Sequence, residues 1–242
     1  MPILSFCDLD GTFVQTSRHV EGQASSVVYT SDTGRDIVIT DKQLQLYTEL
    51  LRSGLVIPVT ARSLESMNRM LSTLTFPSHK VCDHGVFIYD ENDQLVREYS
   101  DYLIKVVYPY QNNLKIALDK LGRLSIGNSV FEDTQFRPIH HGTYLMLIEG
   151  KASSEFYANA IARYLNKLDG IVVSTNGAAF SVTCDVSSYK QLACQYLINT
   201  YPQYQDCVSL GFGDSLTDLP FMQSCDFSVV PNNERTQIKL GE

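Results

Sequence analysis

No two of the six cysteines form a C-x-x-C pair; Cys7, Cys82, Cys184, Cys194, Cys207 and Cys225 are scattered along the chain. That absence leaves no indication of a zinc site or a dithiol redox motif, and the six read as reduced, mostly buried thiols. No apolar run approaches the ~20 residues needed to span a bilayer. The opening MPILSFCDLDGT carries an acid at position 8, which is incompatible with a secretory apolar stretch, so the expectation is a cytoplasmic protein. Runs of Lys and Arg are missing too, and 19 basic against 27 acidic residues give a formal net charge of −8. Neither nucleic acid nor a membrane is therefore an expected partner. An anionic substrate would be opposed by the field of the whole chain, so local cations must reverse the sign at its site, and a bound metal would do so.

Hydrophobic residues make up 44% of the 242, with 14 Tyr and 11 Phe, which is the composition of a folded globular protein. Ile3 to Cys7 is a short apolar run that ends abruptly in Asp8, Asp10 and Gly11, as a buried parallel strand emptying into a polar loop would. Residues 25 to 39 hold two β-rich runs around Ser31, Asp32, Thr33 and Gly34, and predict a hairpin beside that loop. Asp41 is placed to cap a helix with Leu44, Tyr47, Leu50 and Leu51 on one face and Gly54 as its stop. A strand over Leu55–Val59 and a helix over Ser63–Leu74 follow, so strands and helices alternate with short links. This pattern predicts an α/β fold with a doubly wound parallel sheet.

The alternation then breaks. Val81–Tyr89 and Gln94–Tyr99 flank a turn-like Asp90, Glu91, Asn92 and Asp93. Helical stretches near Tyr110–Leu121 and Ser153–Leu168 then interleave with strand-like Tyr144–Glu149, Ile171–Ser174 and Ala179–Cys184. The expectation is a core over residues 1–99 and 182–242 with an inserted α+β cap over 100–181. A helix from Ser188 to Thr200 and a strand from Cys207 to Gly211 return to the core.

Four separated elements stand at predicted strand ends or helix starts: Asp8-Leu9-Asp10-Gly11-Thr12, Thr60 within VTARS, Lys190, and GFGDSLTD with Asp214 and Asp218. Together they resemble the four signatures of the haloacid dehalogenase superfamily. The resemblance implies a magnesium-dependent phosphoryl-transfer enzyme in which Asp8 is the nucleophile and Asp10 the general acid and base. Asp8 and Asp214 would supply ligand carboxylates to Mg2+, and Asp10 its backbone carbonyl. Thr60 and Lys190 would bind the transferring phosphate. Arg62, beside Thr60, reads either as a group positioning the substrate or as half of a surface ion pair. Asp218 would hold Lys190 or a metal-bound water, and Thr12 and Ser215 would support the site. The chemistry calls for such groups, because a carboxylate attacking a phosphate ester meets repulsion that a divalent cation offsets. Lys190 in the first turn of its helix is disfavoured by the macrodipole, typically by ~0.3–1 kcal/mol, which a nearby anion compensates.

Competing readings of the same residues fit less well. D-x-D before Gly can open a calcium loop of about 12 residues, but His19 stands where its bidentate Glu belongs and a strand precedes it. Cys7 is not the nucleophile, since adjacent strand residues point to opposite faces and no Arg follows at the spacing of the cysteine phosphatases. The insert, preceded by CDHGVFIYD, resembles the sugar-phosphatase branch with its Cof-like and sucrose-phosphatase-like enzymes. Ala61 replaces the usual Gly, Asp83-His84 replaces Glu-Asn, and no Gly follows Lys190. The branch implies a small phosphoester substrate such as a sugar phosphate. In the cap, Arg137, His140 and His141 read either as selectivity groups or as an exposed basic loop without function. Two alternatives stay open: a phosphomutase using the same aspartyl-phosphate, and a non-catalytic phospho-acceptor domain.

Overall fold

The computed structural model describes residues 2–20, 22–23, 25–31, 34–70, 72–127, 133–232 and 236–238. Asp32 and Thr33, expected in the hairpin turn, lie outside the described residues. Along the chain run β1 (Ile3–Cys7), β2 (Gln15–Thr16), β3 (Ser25–Thr30), β4 (Asp36–Thr40), α1 (Asp41–Ser53), β5 (Gly54–Pro58), α2 (Leu64–Asn68), β6 (Lys80–Cys82) and β7 (Phe87–Tyr89). There follow α3 (Arg97–Val107), α4 (Gln111–Gly127), β8 (Gln135–His141), β9 (Tyr144–Lys151), α5 (Glu155–Leu165), β10 (Ile171–Asn176) and β11 (Ala179–Cys184). The chain closes with α6 (Tyr189–Thr200), α7 (Pro202–Gln205), β12 (Val208–Phe212), α8 (Leu219–Met222) and β13 (Phe227–Val229). None of the helices described is long and apolar enough to cross a membrane.

Two compact units form, one from Met1–Tyr99 with Ser187–Glu242 and the other from Ser100–Val186. Their division after Val186, beyond the expected 181, keeps the strand Ala179–Cys184 whole. In the first unit the strands β13-β12-β1-β5 make a parallel sheet. An isolated parallel bridge, Val59 to Val81, leads on to β6, which pairs antiparallel with β7. This is the doubly wound α/β arrangement that the alternation of elements predicts. Strand β1 is central, and Leu4, Phe6 and Cys7 are wholly buried, which is why the run is apolar but for Ser5. Cys7 and Val56 join a cluster with Phe13, Tyr47, Leu50, Met67, Met70 and Leu74 on one side of the sheet. Phe6 and Ile57, one position along each strand, turn to the other.

Helix α1 is capped by Thr40, not Asp41. Thr40 Oγ1 accepts the Gln43 N–H at 3.3 Å and Gln43 Oε1 accepts the Thr40 N–H at 3.0 Å, a reciprocal box that satisfies two end donors. Gln43 Nε2 also donates to the Thr12 carbonyl at 2.9 Å, which ties the helix start to the loop after β1. Strands β2, β4 and β3 form a small antiparallel sheet. Its register shifts between Val27 and Tyr29, where Val28 is the extra residue of a bulge.

Several expected elements are altered. The helix expected over Ser63–Leu74 ends at Asn68, ahead of Ser72, Thr73, Thr75 and Pro77, all poor helix formers or breakers. Val81–Tyr89 is split by a tight turn in which Asp83, His84 and Gly85 have φ of 48°, 59° and 94°. Within Gln94–Tyr99, Leu95 makes one bridge to Tyr89 and α3 begins at Arg97. The buried set Val96, Tyr99, Leu103 and Val107 has helical spacing, visible only when read past residue 99. In the second unit the sheet runs β10-β11-β9-β8, antiparallel throughout, with α4 and α5 packed on it. Strand β8 escapes sequence reading because Pro138 interrupts its pattern, which an edge strand tolerates.

Candidate active site

Sheet register brings the first and last sequence elements together. Cys7 pairs with Phe212 on one side of β1 and with Pro58 on the other. The Asp8 N–H donates to the Phe212 carbonyl and the Val59 N–H to the Cys7 carbonyl, at 2.9 and 2.8 Å. The loops carrying Asp8, Thr60 and Asp214 therefore leave the same end of three adjacent strands, where open α/β sheets bind ligands.

Lys190 joins them from the first turn of α6. Its Nζ donates to Asp8 Oδ1 at 3.0 Å and to Asp218 Oδ1 at 2.7 Å, and all three side chains are buried. Burial alone would lower the Lys190 pKa, but Asp218 and Asp8 overcome it and hold the ammonium well above its ordinary value. These two carboxylates answer the unfavourable dipole at the helix start. α6 reaches this depth because Gly85 has no side chain: a Cβ there would lie 2.3–2.5 Å from backbone atoms of Tyr189 and Lys190.

Asp218 is fully engaged. Its Oδ1 takes Lys190, and its Oδ2 accepts the Ser215 N–H at 3.1 Å and the Ser215 hydroxyl at 2.6 Å. Carboxylate oxygens of Asp8, Asp214 and Asp218 lie within 4.8 Å of one another. Burial pushes the Asp8 carboxyl well above its ordinary range; Lys190 opposes this, while Asp218, Asp10 and Asp214 add to it. An all-oxygen, anionic cluster of this kind fits a hard divalent cation such as Mg2+. Asp8, Asp214 and Asp218 are the carboxylates placed to hold one. The Asp214 carboxylate lies against Gly11, whose φ of +98° only glycine adopts readily, and a Cβ there would sit 2.1 Å from Asp214 Oδ2.

The Thr60 hydroxyl accepts the Arg62 N–H at 3.1 Å, which leaves its own hydrogen to donate. Thr12 Oγ1 lies 3.4 Å from Asp8 Oδ2, a long contact. The Asp10 carboxylate is not one of the three grouped within 4.8 Å. Arg62 grips it with two parallel bonds, Nε to Oδ2 and Nη2 to Oδ1, each 2.6 Å. The third arm of that guanidinium, Nη1, donates to the Tyr29 hydroxyl and to Ser66 Oγ. Arg62 thus has its donors on Asp10 and its neighbours. In the second unit Arg137 lies in β8 and pairs with Glu149 of β9 through Nε and Nη2, at 3.0 and 2.9 Å. His140 and His141 end the same strand.

Tyr29 has no signature in the sequence, because its place depends on a bulge that residue types do not announce.

No family model matches the chain, and no curated protein matches it. Solved structures do. The sucrose-phosphatase of Synechocystis sp. PCC6803, in complex with sucrose and phosphate, is 17% identical over 92% of this chain and 80% of that one, with a TM-score of 0.53. A haloacid dehalogenase-like hydrolase from B. subtilis is 13% identical over 94% and 88%, with a TM-score of 0.54. The C-terminal domain of C. albicans trehalose-6-phosphate phosphatase is 13% identical over 92% and 73%, with a TM-score of 0.57. The fold of this chain is that of the haloacid dehalogenase-like hydrolases.

Proposed function

We propose that this chain is a magnesium-dependent phosphomonoester hydrolase that passes a phosphoryl group through Asp8 to water. The observation that carries the reading is the buried triad of Lys190 with Asp8 and Asp218, with Asp214 within reach. A carboxylate held beside an ammonium and an acid cluster at a parallel strand end is equipped to accept a phosphoryl group.

In the proposed reaction Asp8 attacks phosphorus and the bond to the leaving oxygen breaks, while Asp10 gives that oxygen its proton. Water, deprotonated by the same Asp10, then attacks the aspartyl-phosphate; the bond to Asp8 breaks and inorganic phosphate leaves. Lys190 and the Thr60 hydroxyl bind the phosphate oxygens, and Asp218 keeps Lys190 in place. Magnesium, held by Asp8 and Asp214 with the Asp10 carbonyl, would neutralise the charge gathering between carboxylate and phosphate.

A small phosphorylated metabolite is the favoured substrate class, with sugar phosphates first. Two of the structures sharing the fold are named as phosphatases for sucrose and for trehalose-6-phosphate. The test is phosphate release from a panel of phosphorylated sugars, with magnesium and with a chelator, for the unaltered protein and Asp8→Asn. Turnover is expected with magnesium alone and lost in the variant. Undiminished release in either control would overturn the reading.

A further inference from the structure

The hairpin after the first strand carries a residue that no motif contains, and it ends on the general acid. The geometry points to Tyr29 as a positioning residue for Asp10, acting through Arg62. This deepens the phosphatase reading and rests on it.

The chain of contacts is short. The Tyr29 hydroxyl accepts from Arg62 Nη1, and Arg62 Nε and Nη2 hold the two oxygens of Asp10 at 2.6 Å each. A guanidinium is planar, so fixing its third arm fixes the plane of the other two, and with it the plane of the carboxyl group. Each Asp10 oxygen keeps a second lone-pair direction that Arg62 does not use, where the transferred proton is carried. Arg62 itself is well covered, with 13% of its side chain exposed against 38% for Asp10. The covered arginine is the fixed part, and the acid it holds is the part open to a reactant.

The bulge in β3 explains how Tyr29 gets there. Val27 lies opposite Val38 and Tyr29 opposite Ile37, so Val28 is the extra residue. In an unbulged strand Tyr29 would share a face with Val27, which is 54% exposed. The extra residue turns Tyr29 to the other face, as bulges re-aim side chains. It brings the ring within 5.3 Å of Arg62 Cζ. In this arrangement Arg62 bonds to both Asp10 and Tyr29.

The consequence is a dependence on the leaving group. Phenyl phosphate and p-nitrophenyl phosphate have the same shape near the phosphorus, but phenolate needs a proton to leave far more than p-nitrophenolate does. A positioned general acid contributes ~10²- to 10⁴-fold, and loosening it is expected to remove about tenfold of that for the poorer leaving group. The experiment measures kcat/KM, which reports the transfer to Asp8, for both esters with magnesium in the unaltered protein, Tyr29→Phe, Arg62→Lys, Asp10→Asn and the Tyr29→Phe/Asp10→Asn double variant. Tyr29→Phe and Arg62→Lys should each lower the phenyl ester about tenfold more than the nitrophenyl ester. In the Asp10→Asn background, Tyr29→Phe should cause no further loss.

An equal fall for both esters, or an added loss in the double variant, overturns the inference and assigns Tyr29 to packing or to substrate contact. Tyr29→Phe removes one hydroxyl and keeps the ring, and its circular dichroism melt identifies an unfolded variant, in which case Arg62→Lys decides by the same ratio. An unaltered protein that hydrolyses neither ester refutes the phosphatase reading and this inference with it; activity in that protein with unchanged ester ratios refutes the inference alone.

Discussion

Replacing Gly11 with alanine isolates the link between the first loop and the proposed cation site. The new Cβ would lie 2.1 Å from Asp214 Oδ2 and 2.5 Å from Asp214 Cγ, where real contacts of this kind stay at 3.0 Å or more. Asp214 must therefore retreat by about 1 Å, and a misplacement of that size at a reacting centre costs ~10²-fold in rate. The φ of +98° adds backbone strain of about 1–3 kcal/mol that alanine cannot relieve. The assay is a magnesium titration followed in two ways, by phosphate release and by thermal unfolding. A ligand at 100 times its Kd stabilises by about 2.7 kcal/mol. For a chain of this size that is a rise in melting temperature of roughly 5–10 °C. The unaltered protein should show this rise and Gly11→Ala should lose most of it, along with about two orders of magnitude in kcat/KM. A variant with the unaltered magnesium midpoint and turnover would refute the assignment of Asp214 to the cation.

Lys190→Met should destabilise the protein by ~3–5 kcal/mol in urea unfolding with chelator present, because it leaves Asp8 and Asp218 buried without their partner. Magnesium should restore part of that loss by supplying positive charge. Gly85→Ala should lower both melting temperature and turnover, since the backbone of Tyr189 and Lys190 stands 2.3–2.5 Å from the added carbon and cannot step aside as a side chain would. His79 gives a pH dependence. It is buried, bonded through Nδ1 to the Tyr204 hydroxyl at 2.6 Å, and burial pushes its pKa below the ordinary 6.5. The unfolded chain therefore takes up the proton first. The stability contributed by neutral His79 is whole above pH 6.5 and is lost as pH falls through the lower folded value. His79→Gln should flatten the acid side of a urea-midpoint profile, and an unchanged slope would contradict this.

Much of the first unit is legible before folding. The run Ile3–Cys7 is apolar at every position except Ser5, and this betrays a strand covered on both faces. The acids that follow it mark the end of the sheet where a site would lie. Amphipathic spacing in α1 is equally plain, though its cap is Thr40 and not Asp41, because an extended residue at the end of β4 meets Gln43 at the capping-box distance. The hidden elements share a cause. Pro138 disguises β8, and the helical spacing of α3 straddles residue 99, where the expected core segment ends.

The sequence by itself determined which residue types stand at the strand ends, and so the class of chemistry the site suits. It also determined the parallel α/β order, since buried runs alternating with amphipathic ones have few other solutions. Tertiary structure alone decided the pairings: that Lys190 reaches both Asp8 and Asp218, that Asp218 spends its oxygens on Lys190 and Ser215, and that Arg62 grips Asp10. These depend on the register of β1 against β5 and β12, on the absence of a side chain at Gly85 and on one extra residue in β3. Such offsets of a few ångströms act between segments far apart in the chain, and local propensity carries no record of them.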